Sequence, residues 1–121
     1  MTDRKTQLAR LLPGDIFHAS CSNDASLICL VEEVSEARIV ARRITTQDRL
    51  SFDRTTGRDI RDRAACTIDS TAPLPVPIHN TLLGLERKMR LQSDREKLKL
   101  DRDEREALMF VGPYYAANRL P

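Results

Sequence analysis

Two histidines and three cysteines, His18, Cys21, Cys29, Cys66 and His79, are the side chains of this 121-residue sequence best suited to hold a soft or borderline metal or to supply a nucleophile. A zinc site needs convergent ligand pairs. No Cys-x-x-Cys occurs, and His18 and Cys21 would face opposite ways on a strand. A thiolate–imidazole pair has no local signature either, and Cys29 lies in the most apolar run, where a thiol stays protonated and inert. Glu32 and Glu33 alternate across a strand and cannot share acid–base work. The four glycines form no phosphate-cradling loop. These residues therefore predict no metal, no cofactor and no enzymatic activity. The odd number of cysteines, in no paired spacing, predicts small reduced thiols in a cytoplasmic protein, with His18 at the surface.

Arginine offers a second kind of chemistry. Residues 38 to 63 carry eight arginines (Arg38, Arg42, Arg43, Arg49, Arg54, Arg58, Arg61, Arg63) against Asp48, Asp53, Asp59 and Asp62. On alternating strands Arg38 and Arg42 share a face beside Arg49, and with Arg54 and Arg58 they could grip phosphates through charge-assisted bonds. The competing expectation is a solvated face whose arginines pair with those aspartates. Several features weaken the phosphate reading: 20 basic against 18 acidic residues, 4% aromatics, no Trp, and arginine outnumbering lysine along the whole chain.

A third kind is association through apolar surface. The stretch 95–106 is almost entirely charged, and it is followed by Ala107-Leu-Met-Phe-Val-Gly-Pro-Tyr-Tyr-Ala-Ala, which is not. Leu91, Leu98 and Leu100 do not complete a heptad seam, so a regular coiled coil is not expected. Leu98, Leu100, Leu108, Phe110, Tyr114 and Tyr115 are the candidate partner-binding residues, in a tail expected to dock on its own domain or on another chain.

The elements that must position these groups follow from periodicity. Leu27 to Ile44 reads as a β-hairpin with arms near 26–34 and 37–45; the first is apolar on both faces, as in a strand covered on two sides. In the second arm the alternation slips between Ala41 and Ile44, which predicts a bulge around Arg42 and Arg43. Ile16 to Cys21 reads as an earlier strand and Arg49 to Arg54 as a later one, the latter ended by a turn in which Gly57 supplies a positive φ. Ala64 to Ile68 is a short fifth. A helix is predicted over Thr2–Leu12, capped by Thr2 and ended by Pro13-Gly14. Prolines 73, 75 and 77 predict a stiff connector. Beyond it, Ile78, Leu82, Leu85 and Met89 form one helical stripe expected to pack on the hairpin, with Asn80 as cap and a restart at the capping box Ser93-Asp-Arg-Glu96.

The fold class predicted is α+β with a mainly β core: a small bent antiparallel sheet, or SH3-like partly open barrel, of four to five strands, with a long C-terminal helix. The likeness to SH3-like barrels is one of strand rhythm over about residues 13 to 70. The expected organisation is a β domain at 1–72 with a short N-terminal helix, a connector at 73–77, and a helical extension with an apolar tail at 78–121. The start has no apolar core after its charges and no later run approaches 18 apolar residues, so neither a signal peptide nor a membrane span is expected. Function is expected to be that of a binding module engaging a protein partner or a second copy of itself, with nucleic-acid binding through the arginine face as the alternative.

Overall fold

The structure is a computed structural model that describes residues 3–60, 66–92 and 98–121. Its elements are α1 (Arg4–Ala9), β1 (Ile16–Ser20), β2 (Ser26–Val34), β3 (Arg38–Arg43), β4 (Arg49–Asp53), β5 (Thr67–Ser70), α2 (Val76–Leu91) and α3 (Arg102–Ala117). The strands form one antiparallel sheet in the order β4-β3-β2-β1-β5. It curls into a half-barrel. Its two edges are linked by the segment 57–60, where Asp53 N donates to Arg58 O at 2.8 Å, Ile60 N to Ser51 O at 2.9 Å, and Ile68 N to Gly57 O at 2.8 Å. Gly57 has φ +78°, and an added Cβ there would meet Leu8 Cδ1 at 3.3 Å, so glycine is required both by conformation and by the close approach of α1.

The curled sheet has two apolar faces and each is buried. The concave face holds Phe17, Ala19, Leu27, Cys29, Val31, Ile39, Ala41, Phe52 and Ile68, closed off by Leu8 and Leu11 from the α1 region and by Leu120 from the tail. Outside, Ile16, Ile28, Leu30 and Ile44 meet Leu82 and Leu85 of α2 and Ala107, Val111 and Tyr115 of α3. Each large aliphatic side chain so buried contributes about 1.5–3 kcal/mol. The double coverage expected of β2 is therefore present, and the stripe of Ile78, Leu82, Leu85 and Met89 does pack on the hairpin.

This second core also explains the apparent slip in β3. Ile39 and Ala41 face the concave core while Ile44 belongs to the outer one, so strict alternation through residue 44 satisfies both. The bulge lies instead in the opposite arm, where pairing shifts between Val31 and Glu33 and leaves Glu32 as the extra residue.

Boundaries in three elements differ from the sequence expectation. The cap of α1 is Asp3, whose carboxylate accepts Thr6 N at 2.8 Å, and the helix stops at Ala9. Helix α2 begins at Val76, before Asn80, because prolines 75 and 77 fall at the cap and first turn, where no N–H is needed. Strand β5 runs to Ser70, and residues 64 and 65 lie outside the described residues. The Ser93–Glu96 capping box is also outside them. The box that is described is Asp101 with Glu104 at the start of α3.

The cysteine expectation is corrected. Cys21 and Cys66 are joined in a disulfide, and Cys29 alone is free. The physical reason is sheet register: Ser20 pairs with Thr67 in the antiparallel β1–β5 ladder, so one step further along sets residue 21 beside residue 66, although 45 positions separate them in sequence. The expectation for Cys29 stands, since burial pushes its thiol up to about 12.

No helix of the described residues is long and apolar enough to cross a membrane.

Candidate functional site

Helix α3 can be divided into three stripes by the 100° step between residues. Glu104, Ala107, Val111 and Tyr115 are buried against the sheet and α2. Leu108, Gly112 and Ala116 line a cleft between α3 and the outer face of β1 and β2. Arg102, Glu106, Met109, Phe110, Pro113 and Ala117 form the outward stripe. Met109 is 76% exposed and Phe110 38%. Arg102 and Glu106 pair with each other at 3.0 Å, leaving the rest of that stripe free of charge.

The predicted partner-binding residues are thus divided between roles. Tyr115, only 1% exposed, belongs to this chain's own core, where its hydroxyl donates to Ile16 O at 3.4 Å and burial raises its phenol well above the usual range. Tyr114 donates its hydroxyl to Pro73 O, and Leu108 and Leu100 pack partly buried against the outer core. Leu98 is half-buried, beside Lys88 and Leu91. Phe110 remains at the surface, stacked on Tyr114 with ring centroids 5.3 Å apart. Met109, absent from the sequence-derived set, is the most exposed apolar side chain of α3. Its position opposite Val111 on the helical wheel was the available signal.

Among the described residues, part of the arginine face is paired from within by Glu32. Arg42 and Arg49 are opposite one another in the β3–β4 ladder, and the bulge residue Glu32 lies between them, accepting from Arg42 Nε at 2.7 Å and lying 3.5 Å from Arg49 Nη2. Arg38 is exposed and lies opposite Asp53 in the same ladder. Arg54 is directed inward: Nη1 donates to Ser35 O at 2.7 Å and Nη2 to Ala9 O at 2.8 Å, tying the end of α1 to the β2–β3 turn. Arg58 is exposed on the linking segment 57–60. Arg61 and Arg63 lie outside the described residues.

A polar cluster that the sequence did not reveal borders the cleft. His18 is 9% exposed, so the expectation of a surface histidine is corrected. Its Nδ1–H donates to Asp69 Oδ1 at 2.5 Å, and Ser20 donates to Asp69 Oδ2. Burial would raise the Asp69 carboxyl, but hydrogen bonds from His18 and Ser20, with the charges of His18 and Arg119, hold it below the usual range. Because Ser20 bonds the carboxylate and not the imidazole, histidine cannot take its proton, and the three do not form a nucleophilic triad. The cleft they border has a volume of about 310 Å³ and is lined further by Ser26, Ile28 and Arg119. His18 and Ser20 share a face by their spacing of two, a signal present in the sequence, whereas Asp69 joins them only through the β1–β5 register.

Among the described residues no group of three or more His, Cys, Asp or Glu side chains is placed to hold a metal ion. No protein-family model, curated protein or solved structure matches the chain.

Proposed function

We propose that the protein is a non-enzymatic binding module that self-associates through the outward stripe of α3, its occupant being a second copy of the same chain. The observation that carries this reading is the contrast within one helix: residues 107 to 117 carry no charge, and yet Met109 and Phe110 remain exposed after the core is complete. A twofold axis across the stripe would place the same patch on both sides. Arg102 and Glu106, which lie on the stripe, already pair with each other at 3.0 Å, so they would enter the interface as a neutral pair. Phe110 is braced by Tyr114, whose hydroxyl is itself anchored, so little side-chain freedom is lost on association. The patch is one short helix face, and it suits a weak dimer with a dissociation constant on the order of micromolar.

Sedimentation velocity tests this. Wild-type protein is expected to pass from monomer to dimer with concentration, and Met109→Glu with Phe110→Glu to remain monomeric while still unfolding cooperatively. A monomer at every concentration would contradict it. The nucleic-acid alternative draws on Arg38 and Arg58, and Glu32 between Arg42 and Arg49 reduces its appeal. Anisotropy of labelled DNA and RNA, with affinity falling steeply as salt rises, is the result that would favour it.

A further inference from the structure

The cleft between α3 and the outer face of β1 and β2 has no role in the self-association reading, and it sets a hydrogen-bond acceptor and a donor beside an apolar wall. We propose that it binds a small neutral carboxamide with a short aliphatic body: the amide N–H donates to His18 Nε2, the amide oxygen accepts from Arg119, and the body lies against Ile28, Leu108 and Ala116. The cleft, of about 310 Å³, has room for a molecule of this kind.

The acceptor is set by the polar cluster. Asp69 is held below the usual carboxyl range, and its two oxygens accept from His18 Nδ1 and from Ser20. An ionised carboxylate at Nδ1 selects the tautomer with the proton on that nitrogen, and the neutral ring then carries a lone pair at Nε2. Nε2 has no hydrogen-bond partner among the described residues, although the side chain is only 11% exposed where it lines the cleft. A largely buried acceptor without a donor costs free energy that a ligand N–H recovers. Tyr115, with its ring centroid 5.5 Å from that of His18, and Asp69 fix the imidazole from two sides, so the acceptor is in place before a ligand arrives.

The donors come from elsewhere on the wall. Arg119 supplies guanidinium N–H groups and no acceptor, and Ser26, opposite Ser20 in the β1–β2 ladder, adds a hydroxyl. The charges of Arg119 and Asp69 cancel, so neither sign of ionic ligand is favoured by the pair. A carboxamide fits these conditions together: it carries a donor and an acceptor side by side and no charge.

Nitrogen-15 NMR of the whole chain at about pH 8 tests the proposal in two steps. The long-range spectrum of the His18 ring reads the tautomer directly: a protonated Nδ1 and a bare Nε2 are expected, and protons on both nitrogens would overturn the proposal. Titrations then compare three probes that share one body, namely butyramide, pentan-2-one, in which a methyl group replaces the NH2, and butyrate. Butyramide is expected to give saturable shifts at His18, Ser26, Ile28 and Arg119 with a dissociation constant on the order of millimolar. Pentan-2-one, which lacks only the donor, and butyrate, which is charged, should bind about tenfold more weakly or not at all. Ala116→Leu, at an exposed position of α3, should fill the cleft and abolish the butyramide shifts while leaving the spectrum folded. That change touches neither Met109 nor Phe110, so dimerisation should persist in it. Absence of saturable shifts with butyramide would overturn the proposal, as would equal binding of pentan-2-one or butyrate, or unchanged binding by the Ala116→Leu protein.

Discussion

At the scale of single residues, the Asp69 carboxylate has the clearest consequence. It is stabilised in its charged form by His18 and Ser20, so its folded value lies below the ordinary 3.8. A group with a depressed folded value contributes stability that is fully present above its unfolded value and is lost as pH falls through the folded one. Stability of the wild type should therefore decline below about pH 4, and Asp69→Asn, although less stable at neutral pH, should show a shallower decline there. Urea denaturation at pH 7, 4 and 3 measures both. An equal slope in the two proteins would contradict the assignment. Asp3 and Asp53 are also held low, by hydrogen bonds from Thr6 and from Thr56 and Thr55, and act in the same direction.

At the scale of elements, the helical hairpin depends on a few polar groups at its turn. Glu104 is 6% exposed and accepts from Asp101 N and from Lys88 Nζ, both at 2.8 Å, so one carboxylate closes the capping box of α3 and ties it to α2. Glu104→Ala should lower unfolding stability by about 1–3 kcal/mol, and Glu104→Gln by less, since the amide oxygen still accepts from Asp101 N. Equal losses would show that the ion pair, not the cap, dominates. The helices and strands themselves were legible because their apolar periods were strong: Leu82 and Leu85 lie where the stripe placed them, and Leu50 and Phe52 where the alternation did. Boundaries were less legible. Pro75 and Pro77 look like helix breakers in sequence yet are compatible with a first turn, and Ile44 suggests a bulge in its own arm only if the sheet has one core, whereas it has two.

At the scale of the whole molecule, what could not be read was whatever depends on register between distant segments. Asp69 meeting His18, Cys21 meeting Cys66 and Glu32 lying between Arg42 and Arg49 all follow from strand order, which a single sequence does not state. The disulfide spans 45 positions and its removal in a Cys21→Ser, Cys66→Ser protein should cost about 4 kcal/mol, through the freedom regained by the unfolded chain. Alkylation in denaturant should label one cysteine without reductant and three with it; three in both would refute the bridge. The central claim concerns what remains after both cores are filled, namely that the outward stripe of α3 pairs with a second copy. The most direct measurement is a dilution series followed by nitrogen-15 NMR. Concentration-dependent shifts are predicted at Glu106, Met109, Phe110 and Ala117, with the β3–β4 face unchanged. A spectrum independent of concentration, or changes confined to Arg38, Arg42 and Arg49, would contradict the account.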